Sequence, residues 1–349
     1  MDELAQAVIK PKKRANYIDI AKGVVILLVV YGHAVTFQGI PFFIIFSFHM
    51  PFFFFISGWC KAFSDRQEKF LVMLRKSFVK LIIPSIIFRA IRFWQPDDLK
   101  AWGKSIFLDP YSEWFLATMF VINILFFFFK KFDLKNNNLY LKLGFMAAVV
   151  GITPIFVQLY IYWGLHMKVG FPFSFDCVAI GFSFSVVGYY LKKFMKKNPM
   201  PKPNVLSVLS ILIVLAISVK LIFTNSYVNV CDGMLGISDT FFYFCALLLT
   251  CVVMYLSKES DKLSVKNSFL KGLNKLLELY GRNSLWIYLC HIIMFDKYTA
   301  YLSANQIVIN HYLQVALYTI VTMVVLTPIF MIIEKIKKTL KAKKQRKLA

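Results

Sequence analysis

YIDIAKGVVILLVVYGH, residues 17–33, is the first long apolar run of the chain, and it carries Asp19, Lys22 and His33. On a helix, at about 100° per residue, Lys22 and His33 point only about 20° apart, with Asp19 about 40° from His33. One face therefore carries all three. At about 1.5 Å per residue, Lys22 and His33 lie about 16 Å apart along the axis, roughly half the hydrocarbon thickness of a bilayer. An ionisable side chain that deep is costly unless it faces protein or water, so each marks a functional site by default. The stretch predicts a reaction centre inside a helical bundle.

The rest of the chain supplies that bundle. Its 349 residues are 58% hydrophobic and 17% aromatic, with a mean hydropathy of +0.63 and apolar runs of about twenty residues, the signature of a polytopic membrane protein. The runs are continuous rather than alternating, which excludes a barrel and leaves helices. Ten are expected, at 18–38, 41–60, 77–93, 113–129, 143–162, 171–191, 204–223, 238–256, 281–297 and 311–333. The expected architecture is all-α, one bundle of about ten transmembrane helices at 18–333. A basic N-terminal segment, 1–17, and a basic tail, 334–349, flank it.

The net charge of +23 would point to nucleic acid in a soluble domain. Here the lysines cluster in the gaps between runs and read as orientation signals. Of 41 Lys and Arg, all but seven (Arg89, Arg92, Lys100, Lys104, Lys168, Lys220 and Lys297) fall on the side of the N-terminus, which places both termini in the cytoplasm. No signal-peptide cleavage site follows the first run. The six cysteines show neither CxxC nor metal spacing and read as apolar packers. The longest outer loop, Trp94 to Ser112, reads as a connector, with a lid as the alternative. The inner segment FLKGLNKLLELYG sets Phe269, Leu273, Leu276 and Leu277 on one helical face, as expected of a helix lying at the membrane surface.

There is no Walker loop, HExxH, GxSxG or dinucleotide fingerprint, so the candidates for chemistry are intramembrane. His33, near the outer end of the first run, can take a proton from a hydroxyl; its bland alternative is a histidine hydrogen-bonded in the bundle. Lys22 near the cytoplasmic end can snorkel, or, paired with Asp19, bind the charged part of a cytoplasmic cofactor. Pro51 should kink the second run and free a carbonyl beside His49, itself a pocket residue or glue between helices. Arg75, Lys76 and Lys80 are topology determinants or a phosphate grip. Asp176 sits one turn into an apolar run, where it is expensive. Ser284, Tyr288 and His291 share a face of the ninth run by their spacings of four and three.

Taken in order, YIDIAKGVVILLVVYGH, FHMPFFFFISGW, the basic run ending KLIIPS, EWFLATMF, FPFSFDCVAIGFSFSVVGYYLKK and GRNSLWIYLCH resemble the acyltransferase 3 family of integral membrane acyltransferases. The resemblance is to its branch of fucose 4-O-acetylase-like sugar O-acetyltransferases. It implies transfer of an acyl group, usually acetyl from cytoplasmic acetyl-CoA, to a hydroxyl of an extracytoplasmic or lipid-linked carbohydrate, with no metal. The family's basic residue and histidine separated by ten positions map onto Lys22 and His33, Lys22 replacing the arginine of many members. The paired arginines of its third helix are matched only loosely by Arg75, Lys76 and Lys80. In that reading Lys22, Arg75, Lys76 and Lys80 neutralise CoA phosphates and Asp19 orients Lys22. His33 acts as general base or as acyl relay. His49, Asp176, Ser284 and His291 are second-rank acceptor-site candidates. The competing class is a secondary transporter or glycan exporter, which uses the same intramembrane groups but leaves the inner cation cluster without a task.

Overall fold

The computed structural model describes residues 15–35, 39–64, 67–94, 97–108, 113–135, 138, 140–142, 144, 145, 175–197 and 203–346. The side chains of 104–108, 175, 176, 232, 338 and 341–346 lie outside that description. The described residues form helices, with a single isolated bridge between Asn229 and Met234. The first run is α1 (Asn16–Ala34). The second is broken into α2 (Ile40–Phe46) and α3 (His49–Lys61). Then come α4 (Phe70–Ser77), a π-helical turn (Phe78–Ile82), α5 (Ile83–Arg92), α6 (Leu99–Leu108) and α7 (Trp114–Lys135). The second half comprises α8 (Phe175–Lys197), α9 (Val205–Asn225), α10 (Asp239–Leu263), α11 (Ser268–Arg282), α12 (Ser284–Ala304) and α13 (His311–Arg346).

Six of the described helical stretches are long and apolar enough to cross a membrane: Asn16–Ala34, Ile40–Lys61, Trp114–Lys135, Val205–Asn225, Asp239–Leu263 and His311–Lys337. The expected fifth run, 143–162, lies outside the described residues apart from 144 and 145. The third, sixth and ninth runs are helical but not among the six. Three details go beyond expectation. The segment from Trp94 to Ser112 contains α6, fastened to α5 where Trp102 Nε1 donates to Ala90 O at 3.0 Å. The basic tail is helical as far as Arg346, continuing α13. Lys, Arg and Ala favour a helix that is already nucleated. The bend near Pro51 falls earlier, at Ser47 and Phe48. Proline without an N–H is harmless in the first turn of α3, where donors have no intrahelical partner.

Two close backbone contacts lock the elements that carry the polar residues. A Cβ on Gly23 would lie 2.1 Å from Leu277 O, and one on Gly281 would lie 1.8 Å from Asp19 O, so α1 and α11 meet glycine to backbone. Likewise a Cβ on Gly58 would lie 1.7 Å from Ser185 O, and one on Gly188 2.2 Å from Phe55 O, which brings α3 against α8. In lipid, where burial of apolar surface gives little drive between helices, such close packing is what holds them. Ser185 Oγ adds a donation to Phe54 O at 2.9 Å. α11 turns Phe269, Leu273 and Leu276 outward and buries Leu279 and Tyr280.

Candidate active site

With its back fixed on α8, α3 turns Met50, Phe53, Ser57 and Cys60 the other way, within an arc of about 80° at 100° per residue. That stripe runs along three adjoining cavities. A vestibule of about 740 Å³ opens at the Lys61 end. A passage of about 200 Å³ follows, lined along its length by Met50, Phe53, Ser57 and Cys60 and by Lys22 of α1. A chamber of about 250 Å³ at the Met50 end holds His33 and His49. Ser57, Cys60, Leu81 and Met119 line both vestibule and passage, while Met50 and Tyr288 line both passage and chamber. The three spaces thus follow one another from end to end of the helix.

The chamber gathers the histidines. His33 is open to it, with its ring 4.9 Å from that of His291 and 6.0 Å from that of Phe46. At the break between α2 and α3, Ile45 O accepts from Phe48 N at 3.2 Å and from His49 Nδ1 at 2.7 Å, which fixes that ring through Nδ1. In the same way His291 Nδ1 donates to Ile287 O at 3.2 Å, leaving a buried Nε2 with no hydrogen-bond partner among the described residues. The histidine carbonyl is itself held, by Tyr318 OH at 2.7 Å. Two imidazoles, each held through its Nδ1, therefore stand beside the chamber that His33 faces.

Glu113 also lines the chamber, and sequence reasoning passed over it. It is 3% exposed, accepts from Arg89 Nε at 3.0 Å and adopts φ +47°. A left-handed non-glycine residue costs on the order of 1–2 kcal/mol and persists where its surroundings insist on it, commonly at functional sites. The only sequence signal was its place at the head of EWFLATMF. The stretch from Asn229 to Cys231 forms another wall of the chamber. Asn225 anchors it, donating from Nδ2 to Leu235 O and accepting from Ser238 N, both at 2.7 Å. Gly236 sits at φ +88°, where a Cβ would meet Asn225 O at 2.3 Å.

The passage holds Lys22, whose ammonium is 2.8 Å from the buried Asp19 carboxylate, as the spacing on α1 predicted. Ser284 shares it with Tyr288. The vestibule is cationic, but not with the expected residues alone. Lys76, 2.5 Å from Glu68, and Lys80 line it; Arg75 is exposed and does not, because it leaves α4 on another face. Lys80 is carried in by the π-helical turn: Pro84 has no N–H for Lys80 O, and Ile83 N–H bonds back to Phe78 O, five residues earlier. Lys61 and Lys130 complete the set. Lys61 donates to Asn123 Oδ1 at 2.7 Å and stands 4.2 Å over the Phe126 ring, and Lys130 reaches Ser64 O at 2.6 Å. Both had read as orientation signals. Thus His33, His49 and His291 come together, Lys22 with Asp19 and Ser284 lies next to them, and Lys76 with Lys80 lies beyond. Asp176 belongs to α8, with its side chain outside the described residues.

A helical bundle with several apolar spans, enclosing an imidazole-lined chamber joined to a cationic vestibule, defines a multi-pass membrane protein with its polar site inside the fold. The chain matches the sequence model of the acyltransferase 3 family, an acyltransferase domain, over residues 15–333, and belongs to that family. It is a membrane acyltransferase. No curated protein and no solved structure matches it significantly.

Proposed function

We propose that the protein transfers an acyl group, acetyl in the first instance, from cytoplasmic acyl-CoA to a carbohydrate hydroxyl on the outer side, within the fucose 4-O-acetylase-like branch. The observation that carries this reading is the series of spaces along α3: cations at one end, imidazoles at the other, a narrow apolar passage between. In this reading the vestibule faces the cytoplasm of a bacterial plasma membrane, with ten crossings and both termini inside; the positive-inside bias supports that orientation.

The vestibule cations Lys61, Lys76, Lys80 and Lys130 suit the phosphates of the donor, and the passage suits its thin thioester arm. Lys22 lies where it can donate to that arm, with Asp19 fixing its position. His33 removes the proton from the acceptor hydroxyl while the oxygen bonds to the acyl carbon. The carbon–sulfur bond breaks, and the imidazolium returns its proton to the departing sulfur, so the donor leaves as the free thiol. His291, whose buried Nε2 has no partner among the described residues and whose ring stands 4.9 Å from that of His33, would accept the hydrogen bond of that imidazolium. Glu113 and His49 supply acceptors for sugar hydroxyls in the chamber. An acyl-histidine relay on His33 would use the same groups but give ping-pong kinetics.

Thiol release from acetyl-CoA by purified protein in lipid, with an extract of the host's surface glycans as acceptor, tests this. His33→Ala should lower glycan-dependent release at least a hundredfold while leaving CoA affinity unchanged, and Lys61→Met should weaken CoA binding about tenfold. Folded protein that binds no CoA thioester would instead favour transport of a glycan-related substrate along the same path.

A further inference from the structure

Resting on that reading, we propose that Met50 and Tyr288 form the doorway between the donor passage and the histidine chamber, and that this doorway restricts the transferred group to a short, uncharged acyl.

These two side chains occur in the lining of both spaces. Each is almost fully buried, at 4% for Met50 and 7% for Tyr288, so the wall they form is packed from behind. The Tyr288 ring is braced on two sides, 5.6 Å from the Phe115 ring and 5.8 Å from that of His291. Met50 is held by its place in the first turn of α3, directly after His49, whose ring is fixed on Ile45 O. Of the two, Met50 is the soft edge, unbranched and free to change rotamer.

An acyl carbon presented to His33 has to pass or occupy this doorway, and its tail has to lie among Ile26, Phe53 and Phe115 on the passage side. That wall is apolar. On the chamber side the neighbouring cations are paired with carboxylates, Lys22 with Asp19, Arg89 with Glu113 and Arg92 with Asp296, while Lys61, Lys76, Lys80 and Lys130 lie at the vestibule end, away from the doorway. A carboxylate-bearing acyl such as succinyl would enter without a free counter-charge and lose its hydration. The passage, at about 200 Å³, already has to hold the thioester arm, so each added methylene competes for a fixed space. Discrimination of about tenfold or more per methylene is what such a pocket delivers.

The test compares kcat/KM for acetyl-, propionyl-, butyryl- and succinyl-CoA, by thiol release with the same glycan extract, across wild type, Met50→Ala, Met50→Leu and Met50→Phe. Wild type should follow the order acetyl, propionyl, butyryl, with succinyl not used. Met50→Ala should raise the butyryl-to-acetyl ratio at least tenfold. Met50→Phe should depress propionyl relative to acetyl, and Met50→Leu, which keeps the volume, should preserve the wild-type chain-length ratios whatever its absolute rate. Because the phenylalanine variant should shift chain-length preference in the opposite direction, it decides the question even when the alanine variant does not fold. Unchanged ratios in variants that turn over acetyl-CoA, or a wild type that uses butyryl- or succinyl-CoA as well as acetyl-CoA, overturn the doorway alone. A folded wild type that neither binds nor turns over any of the four overturns the acyltransferase reading and the doorway together.

Discussion

Glu113 shows how much a single residue can carry without advertising it. It combines an interior carboxylate, a left-handed backbone and an ion pair with Arg89, whose side chain is 11% exposed against 3% for its partner. Removing one member of a pair so enclosed leaves a charge that water cannot reach, at a cost of about 3–5 kcal/mol, whereas replacing both relieves the stranded charge. Glu113→Gln and Arg89→Met should therefore each lower the unfolding temperature in detergent. The double variant should be more stable than the sum of the two losses allows, a coupling of about 1–3 kcal/mol. Strict additivity would mean that the pair contributes nothing to holding the chamber wall. His33 and Lys22 were visible in the sequence because charge in an apolar run is expensive wherever it points. Glu113 was not, because it heads its run, where an acidic residue is unremarkable.

Among the elements, α3 organises the site. Its lining stripe faces the cavities only because its opposite face is pressed on α8 through Gly58 and Gly188. Gly58→Ala would put a Cβ 1.7 Å from the Ser185 carbonyl oxygen, which only a shift of one helix can relieve. That variant should lose several kcal/mol of stability and most of its turnover. Gly272→Ala is the contrasting case: α11 leaves open space there, and the substitution should be neutral or stabilise by about 0.5–1 kcal/mol, read in the same thermal scan. If both alanines behave alike, helix propensity rather than interhelical distance governs these glycines. Hydropathy marked the run 41–60 as helical, but which of its faces lines the cavities came only from the packing on α8. The break before it and the π-helical turn before α5 follow from prolines, but their positions depend on which carbonyls neighbouring groups can satisfy. Ile45 O is taken by His49 and Phe78 O by Ile83.

The whole molecule, in the proposed reading, is sided: vestibule inside, chamber outside. Ile237 is 80% exposed in the loop beyond the chamber, and Lys266 is exposed between α10 and α11 on the opposite side. In a background lacking the six native cysteines, a membrane-impermeant thiol reagent applied to intact cells should label Ile237→Cys and spare Lys266→Cys until the membrane is opened. The reverse pattern would invert the molecule and remove cytoplasmic CoA from the cationic end.

The sequence by itself determined the helical, membrane-embedded class and the family. It also placed Asp19, Lys22 and His33 on one face of α1, because hydropathy, helical period and the cost of buried charge act along the chain. Tertiary structure alone decided which residues meet. His291 reaches His33 from the far end of the chain, and Lys61 and Lys130 become vestibule cations while Arg75 turns away. These outcomes depend on how closely backbones approach at Gly23, Gly58, Gly188 and Gly281, and such distances are set by contacts between elements rather than by any local preference.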